Sequence, residues 1–209
     1  MNKEEFIEEV NKLGIEITDE KLEKLEEFYN ILIEENKKIN LTRIVEKEDV
    51  YLKHFYDSLT IVKVIDLEKV NTLCDVGTGA GFPGIVLKIM YPNLNITLVD
   101  SLQKRVNYLN ETLKKLDLSD IEAIHIRAED LDKKYDVVTS RAVASLDKLV
   151  NWCSHLINEN GTFIAMKANV DNELIDIEKV LKKNNCEIVK IEKFLLPKEN
   201  SNRSLVVIK

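Results

Sequence analysis

Apolar residues in the first third of the chain recur at helical intervals. Phe6, Val10 and Leu13 lie three or four apart and stop at Gly14, which predicts a first helix. Asp19 reads as the N-cap of a longer helix to about Lys38, with Leu22, Leu25, Phe28, Tyr29, Leu32 and Ile33 as its apolar stripe. A third helix is expected from about Glu48 to Ile65. On it His54, Asp57 and Ser58 share one face by their spacing of three and four. After Leu67 the pattern changes to short apolar runs separated by longer helical segments, as in a parallel sheet with crossover helices. Strands are expected at Thr72 to Val76, Asn95 to Val99, Ile121 to Ile126, around Val137 to Thr139, at Phe163 to Met166 and at Glu187 to Leu195. Helices are expected from Pro83 to about Met90, Leu102 to Leu116, Leu146 to Ile157 and Val170 to Lys183, with a turn at Asn160-Gly161. The Pro197 to Asn202 loop is too short for a crossover, so Leu205 to Ile208 should return antiparallel.

One stretch breaks the apolar pattern with chemistry. Leu73 to Gly84 holds four of the six glycines, in the order strand, Asp75, Gly77, Gly79, Gly81, Pro83 and helix start. Such a turn aims backbone N–H groups and a helix N-terminus at a ligand, and glycine lets the backbone approach closely. The dinucleotide fingerprint needs glycine three residues after its second one, and that position is Phe82. Gly-x-Gly-x-Gly behind an acidic strand residue is instead the form seen in S-adenosyl-L-methionine (SAM) binding loops. Seven strands with the last antiparallel agree with that reading. The expected fold is α/β, a Rossmann-like class I SAM-dependent methyltransferase domain over residues 68–209, with an N-terminal helical subdomain over residues 1–67.

Composition narrows the picture. The 209 residues suffice for one sizeable core, and 44% hydrophobic with 32% charged residues is ordinary globular usage. No apolar run approaches the roughly 20 residues that span a bilayer, and Met1 to Glu9 is acidic, so a cytoplasmic protein with no membrane partner is expected. Cys74, Cys153 and Cys186 are widely spaced without a Cys-x-x-Cys pair, which predicts reduced thiols and no metal site. A net charge of −7 argues against a broadly basic nucleic-acid surface and leaves room for a local one. A monomer is the working expectation.

Ligands of open α/β sheets lie at the carboxyl ends of the strands, so the residues there are the candidates. Asp100 closes the second strand, where a carboxylate either accepts from both hydroxyls of a ribose or caps the following helix. Asp75 either holds the amino end of SAM or satisfies the glycine turn. Arg127-Ala128-Glu129-Asp130 follows the third strand, where an amide and a carboxylate could read an adenine edge. Arg141, in Thr139-Ser140-Arg141-Ala142-Val143, is a permanent cation suited to the SAM carboxylate, a phosphate, a guanine oxygen or a structural ion pair. There is no Asn-Pro-Pro-Tyr, Asp-Pro-Pro-Tyr or Pro-Cys run, which disfavours adenine-amine and cytosine-C5 chemistry.

Taken together, Asn40-Leu41-Thr42, His54-Phe55-Tyr56-Asp57-Ser58-Leu59, Asp75 to Gly84, Ser140-Arg141-Ala142-Val143-Ala144 and Arg203 before Leu205 to Lys209 resemble the bacterial 16S ribosomal RNA methyltransferase G family, also called glucose-inhibited division protein B. The resemblance covers nearly the whole chain. It implies methyl transfer from SAM to N7 of a guanine in the decoding-region hairpin of 16S rRNA, free or within the 30S subunit or a precursor. It also implies that Gly77, Phe82, Ala128, Glu129 and Arg141 match cofactor-contacting positions and that Lys167 and Arg203 match basic residues at the substrate opening. Ala168 stands where the family usually has glycine. Lys37, Lys38, Arg43, Lys53, Lys167 and Arg203 are the expected RNA face, joined by His54 if that ring is protonated near phosphate. Guanine N7 carries its own lone pair, so no general base is expected; alignment does the catalysis. The alternatives are a SAM-dependent methyltransferase of another substrate and a non-catalytic SAM- or ribosome-binding module.

Overall fold

Strands β1 (Thr72–Val76), β2 (Asn95–Asp100), β3 (Ile121–His125), β4 (Tyr135–Arg141), β5 (Ile157–Lys167), β6 (Ile188–Leu195) and β7 (Asn202–Ile208) form one sheet in the computed structural model, which describes residues 1–209. Their order is β3-β2-β1-β4-β5-β7-β6. Strands β1 to β5 pair parallel, and β7 runs antiparallel between β5 and β6. Because the order reverses between β1 and β4, the two crossovers diverge there and leave a crevice at the carboxyl ends.

The helices are α1 (Lys3–Lys12), α2 (Asp19–Ile39), α3 (Lys47–Val50), α4 (Asp57–Leu59), α5 (Gly84–Met90), α6 (Gln103–Lys115), α7 (Leu146–Cys153) and α8 (Ile177–Lys183). Asn2 and Glu5 close a capping box on α1. The cap of α2 is Thr18 rather than the expected Asp19, since the Thr18 hydroxyl accepts from the Lys21 N–H. Asn40 ends α2 at φ 51°, a left-handed position that asparagine tolerates. The expected third helix is not continuous. A π-helical segment (Tyr51–Tyr56) separates α3 from α4, and a 3-10 turn (Thr60–Lys63) follows. Tyr51, Leu52, His54, Phe55 and Tyr56 are all buried in it, a spread broader than one α-helical stripe.

Alternate residues of the central strands feed two cores. Leu73, Val137 and Ile164 face a cluster of 39 buried residues, while their neighbours Cys74, Val138 and Ala165 face one of 19. The larger cluster joins Phe6, Val10, Leu25, Phe28 and Phe55 of the N-terminal helices to Ile85 of α5 and Leu109 of α6. The N-terminal helices thus share the core of the sheet on that face. On the other face lie α7 and α8. All three cysteines are free thiols, and no helix is long and apolar enough to cross a membrane.

Two further expectations are corrected. Asn160-Gly161 lies inside β5 rather than in a turn before it, at a register shift between Tyr135↔Ile157 and Val137↔Thr162. A Cβ on Gly161 would lie 2.7 Å from the Tyr135 carbonyl and 2.9 Å from that of Asp136, so the close approach explains the glycine. The segment after Val170 forms a 3-10 turn (Asp171–Leu174) before α8 instead of one helix. Gly161→Ala should therefore cost about 1–3 kcal/mol, the usual range for overpacking. Gly14→Ala, at φ +79° but with open space around it, should cost about 1–2 kcal/mol for the left-handed backbone alone. Urea titrations of both variants check the order, and an unchanged midpoint for Gly161→Ala would contradict the bulge.

Candidate functional site

The crevice opens as a cavity of about 820 Å³ whose wall includes Gly77, Gly79, Phe82, Asp100, Arg141, Lys167 and Arg203. Seven of the ten candidate residues thus converge. Gly77 and Thr78 donate their N–H groups to the Val99 carbonyl at 2.8 and 3.1 Å, which folds the loop over the end of β2. Two of its glycines serve different ends. A Cβ on Gly77 would meet Val143 at 2.4 Å, whereas at Gly79, with φ +61°, nothing lies nearer than 3.9 Å. Gly79 therefore leaves the floor of the cavity open, and Gly77 lets the Ser140-to-Val143 loop close against it.

Asp100 fastens this loop. Its Oδ2 accepts from the Gly79 N–H at 3.0 Å and from Arg105 at 3.3 Å, and its Oδ1 accepts from the Leu102 N–H at 2.9 Å. It thus bonds the backbone of Leu102, the N-cap residue of α6, without itself capping the helix, and it lies in the cavity wall. Asp75 bonds the backbone of the glycine turn. It is fully buried beneath the loop, outside the cavity wall, and its Oδ2 accepts from the Gly84 N–H at 2.9 Å. Burial pushes its pKa up to about 6, and its Oδ1 has no hydrogen-bond partner. Ala128 and Glu129 lie just beyond the wall, on a 3-10 turn (Ala128–Asp130) after β3, whose His125 pairs with Asp100. Ala128 is buried there and Glu129 exposed.

Arg141 is the hub of the opposite wall. One of its terminal nitrogens donates to the Lys53 carbonyl and to Asp57 Oδ2, both at 3.0 Å, and the other to His54 Nδ1 at 3.3 Å. Its guanidinium lies 5.3 Å from the Phe82 ring centroid, and His54 stacks on the same ring at 4.4 Å. An arginine cannot accept, so Nδ1 must be the acceptor and the His54 proton sits on Nε2, which donates to Thr42 Oγ1 at 3.0 Å. Burial, with the Arg141 charge beside it, pushes the His54 pKa down to about 3. The condition for placing His54 on the RNA face is thus not met, since the ring is neutral and buried. Ser58 turns inward as well, donating to the His54 carbonyl at 2.6 Å.

The remaining cations divide. Arg203 Nε donates to Asp57 Oδ1 at 2.9 Å, Lys167 Nζ donates to the Ala144 carbonyl at 2.7 Å and pairs with Glu173 at 2.9 Å, and Lys53 pairs with Asp49 and Glu199. All three line the cavity. Lys37, Lys38 and Arg43 do not, and Lys38 is taken up by Glu34 and Glu35 of its own helix. Sequence reasoning assigned no site role to Asp57, Thr42 and Glu173. The spacing of His54 and Asp57 was a signal for the first; nothing in the sequence marks the last.

The unfolded chain protonates His54 near pH 6.5, the folded chain only near 3, so unfolding takes up a proton between those values. The contribution of His54 to stability is therefore full above pH 6.5 and falls as the pH drops toward 3. Compared with His54→Gln, the wild-type chain should lose up to about 1.4 kcal/mol per pH unit below 6.5. Urea denaturation of both between pH 4 and 7 measures it, and parallel curves would exclude a neutral His54.

A family profile described as rRNA small subunit methyltransferase G matches residues 21–206. A protein named ribosomal RNA small subunit methyltransferase G from Bacillus velezensis is 46% identical over all of this chain and 90% of its own length. Its namesake from Bacillus subtilis is 44% identical with the same coverage. Among solved structures, a SAM-dependent methyltransferase from Aquifex aeolicus superposes with a TM-score of 0.59 at 15% identity, covering 84% of this chain and 97% of that one. A ribosomal protein L11 methylase from Lactobacillus delbrueckii subsp. bulgaricus gives 0.57 at 20% identity, covering 75% and 78%. The structural likenesses establish the class I methyltransferase fold. Sequence identity over the full chain goes further, and the protein belongs to the rRNA small subunit methyltransferase G family.

Proposed function

We propose that this chain transfers the methyl group of SAM to N7 of a guanine in the decoding-region hairpin of 16S rRNA. The observation that carries the reading is one cavity with an open glycine floor on one side and Lys53, Lys167 and Arg203 on the other. Its residues fit SAM. The space a Cβ on Gly79 would fill lies free, Asp100 stands at the strand end beside it, and Arg141 keeps part of its donor fork unused. Gly77, Gly79 and Phe82 shape the floor and wall; Asp100 would accept from the ribose, Arg141 would hold the carboxylate, and the Ala128 N–H with the exposed Glu129 carboxylate, on the turn after β3, would read the adenine edge. When bound, SAM supplies a methyl group on an electrophilic sulfur.

The chain's own residues then position rather than deprotonate. Guanine N7 attacks with its in-plane lone pair, and the base must be held in line with the methyl–sulfur bond. Lys167 and Arg203 hold the RNA at the mouth, with Lys53 beside them. An acidic protein needs such a local patch, since its net charge repels phosphate elsewhere. The substrate is 16S rRNA, free or within the 30S subunit or its precursor, and the enzyme acts in the cytoplasm as a monomer.

Radiolabelled SAM offered with 30S subunits, naked 16S rRNA and total protein tests this directly. Label mapping to guanine N7 of rRNA is expected; label on protein alone, or SAM binding without transfer, would overturn it. Arg203→Ala or Lys167→Ala should raise KM for RNA while leaving SAM affinity nearly intact, and equal loss of both by titration would reject their assignment. Gly79→Ala should fold with a cost of about 1–2 kcal/mol yet bind SAM about 10-fold or more weaker, as calorimetry would show.

A further inference from the structure

The carboxylate of Asp57 is almost wholly buried, and its two hydrogen-bonded partners are Arg141 on Oδ2 and Arg203 on Oδ1. The residue itself is the first of α4, so it reaches from the N-terminal helices to two strands that are not neighbours, β4 and β7. Local structure does not use this side chain. The turn is closed by backbone oxygens instead, with Ser58 bonding the His54 carbonyl and Thr60 the Asp57 carbonyl, each at 2.6 Å. Burying ions is also a poor route to stability, because desolvation offsets most of the attraction. A different reason is needed for a carboxylate here.

The donors of the two arginines supply it. Each guanidinium carries five N–H groups. Arg141 gives three to Asp57, the Lys53 carbonyl and His54. Arg203 gives three to Asp57, Ser201 and the Asn202 carbonyl. Two N–H groups on each remain, and both side chains line the cavity. Two cations on one carboxylate leave the group with a net positive charge, so Asp57 orients them without cancelling them. The separation of the two guanidiniums is then fixed by the width of one carboxyl group.

We propose that Asp57 is a positioning residue that registers the two ends of the reaction. It holds Arg141 toward the carboxylate of the methyl donor and Arg203 toward a backbone phosphate beside the target base. This rests on the methyl-transfer reading given above. Asparagine at 57 keeps the shape but offers one acceptor oxygen, and its NH2 group repels whichever guanidinium it faces.

The test uses S-adenosylhomocysteine, which has the amino-acid end, and 5′-methylthioadenosine, which lacks it. Asp57→Asn should bind the first about 10-fold weaker and the second as tightly as wild type. With rRNA, Asp57→Asn should raise KM about 10-fold in the wild-type background and by less than about 2-fold in Arg203→Ala, because partners that act through one another are not additive. Asp57→Glu keeps the charge but moves the seat, so it should show the same pattern. It also carries the test if Asp57→Asn does not fold, as judged by near-ultraviolet circular dichroism. Equal loss of both nucleosides, additive KM effects, or full rescue by Asp57→Glu would each overturn the proposal. A wild-type protein that fails to methylate rRNA, while the variant still separates the two nucleosides, would count against the RNA reading and not against the Arg141 seat.

Discussion

A guanidinium cannot give up its charge, and the one at the end of β4 determines how the surrounding elements meet. Arg141 sits at the switch point, where the sheet opens, with most of its surface covered. Covering it requires acceptors, and none of those it uses belongs to the sheet. They come from the π-helical segment and the first residue of α4, as the Lys53 carbonyl, His54 Nδ1 and Asp57 Oδ2. The N-terminal helices are therefore joined to the catalytic sheet twice. The apolar core attaches them as a layer, with little sense of direction. The arginine network adds direction, because hydrogen bonds to a planar fork fix angle as well as distance.

That network also connects the cofactor side to the glycine loop. Phe82 leaves the loop and stacks between Phe28 of α2, His54 and the Arg141 guanidinium. The residue that breaks the dinucleotide spacing is thus not a neutral replacement for glycine. It turns a phosphate-binding loop into one with an aromatic wall, pressed on one side by the core and on the other by a cation.

Much of this was legible in the sequence wherever a local rule decides the structure. The strands β1 and β2, the glycine loop, Asp100 and the antiparallel β7 follow from apolar runs, glycine spacing and a short loop, and each appears where those signals put it. What escaped depends on contacts distant in sequence. The π-helical segment has five of its six residues buried, a spread that no single helical stripe in the sequence announces. Gly161 looks like a turn residue until the Tyr135 and Asp136 carbonyls approach it. Asp75 and Asp100 are both buried strand-end acids, and only their placement, Asp100 in the cavity wall and Asp75 beneath the loop, tells them apart. The charge of His54 could not be read from its neighbours in the chain, since Arg141 lies 87 residues away.

The same contacts decide what chemistry the cavity can host. Removing a proton needs a group with a free lone pair and a suitable pKa. His54 has its one acceptor nitrogen occupied by Arg141 and stays neutral far below physiological pH. Asp57 is shared by two arginines, Asp100 by two backbone N–H groups and Arg105, and Glu173 by Lys167 and the Leu146 N–H. Asp75 lies beneath the floor, and the buried thiols of Cys74 and Cys153 are pushed up by their surroundings and stand away from the wall. The acids and the imidazole in the cavity wall are thus each engaged in holding a cation or an N–H, while Asp75, whose Oδ1 has no hydrogen-bond partner, lies outside that wall. An acceptor such as an exocyclic amine, which must shed a proton, would find none of these wall groups free of a partner. Guanine N7 has its lone pair in the ring plane and sheds nothing, so a site built wholly of positioning groups suffices.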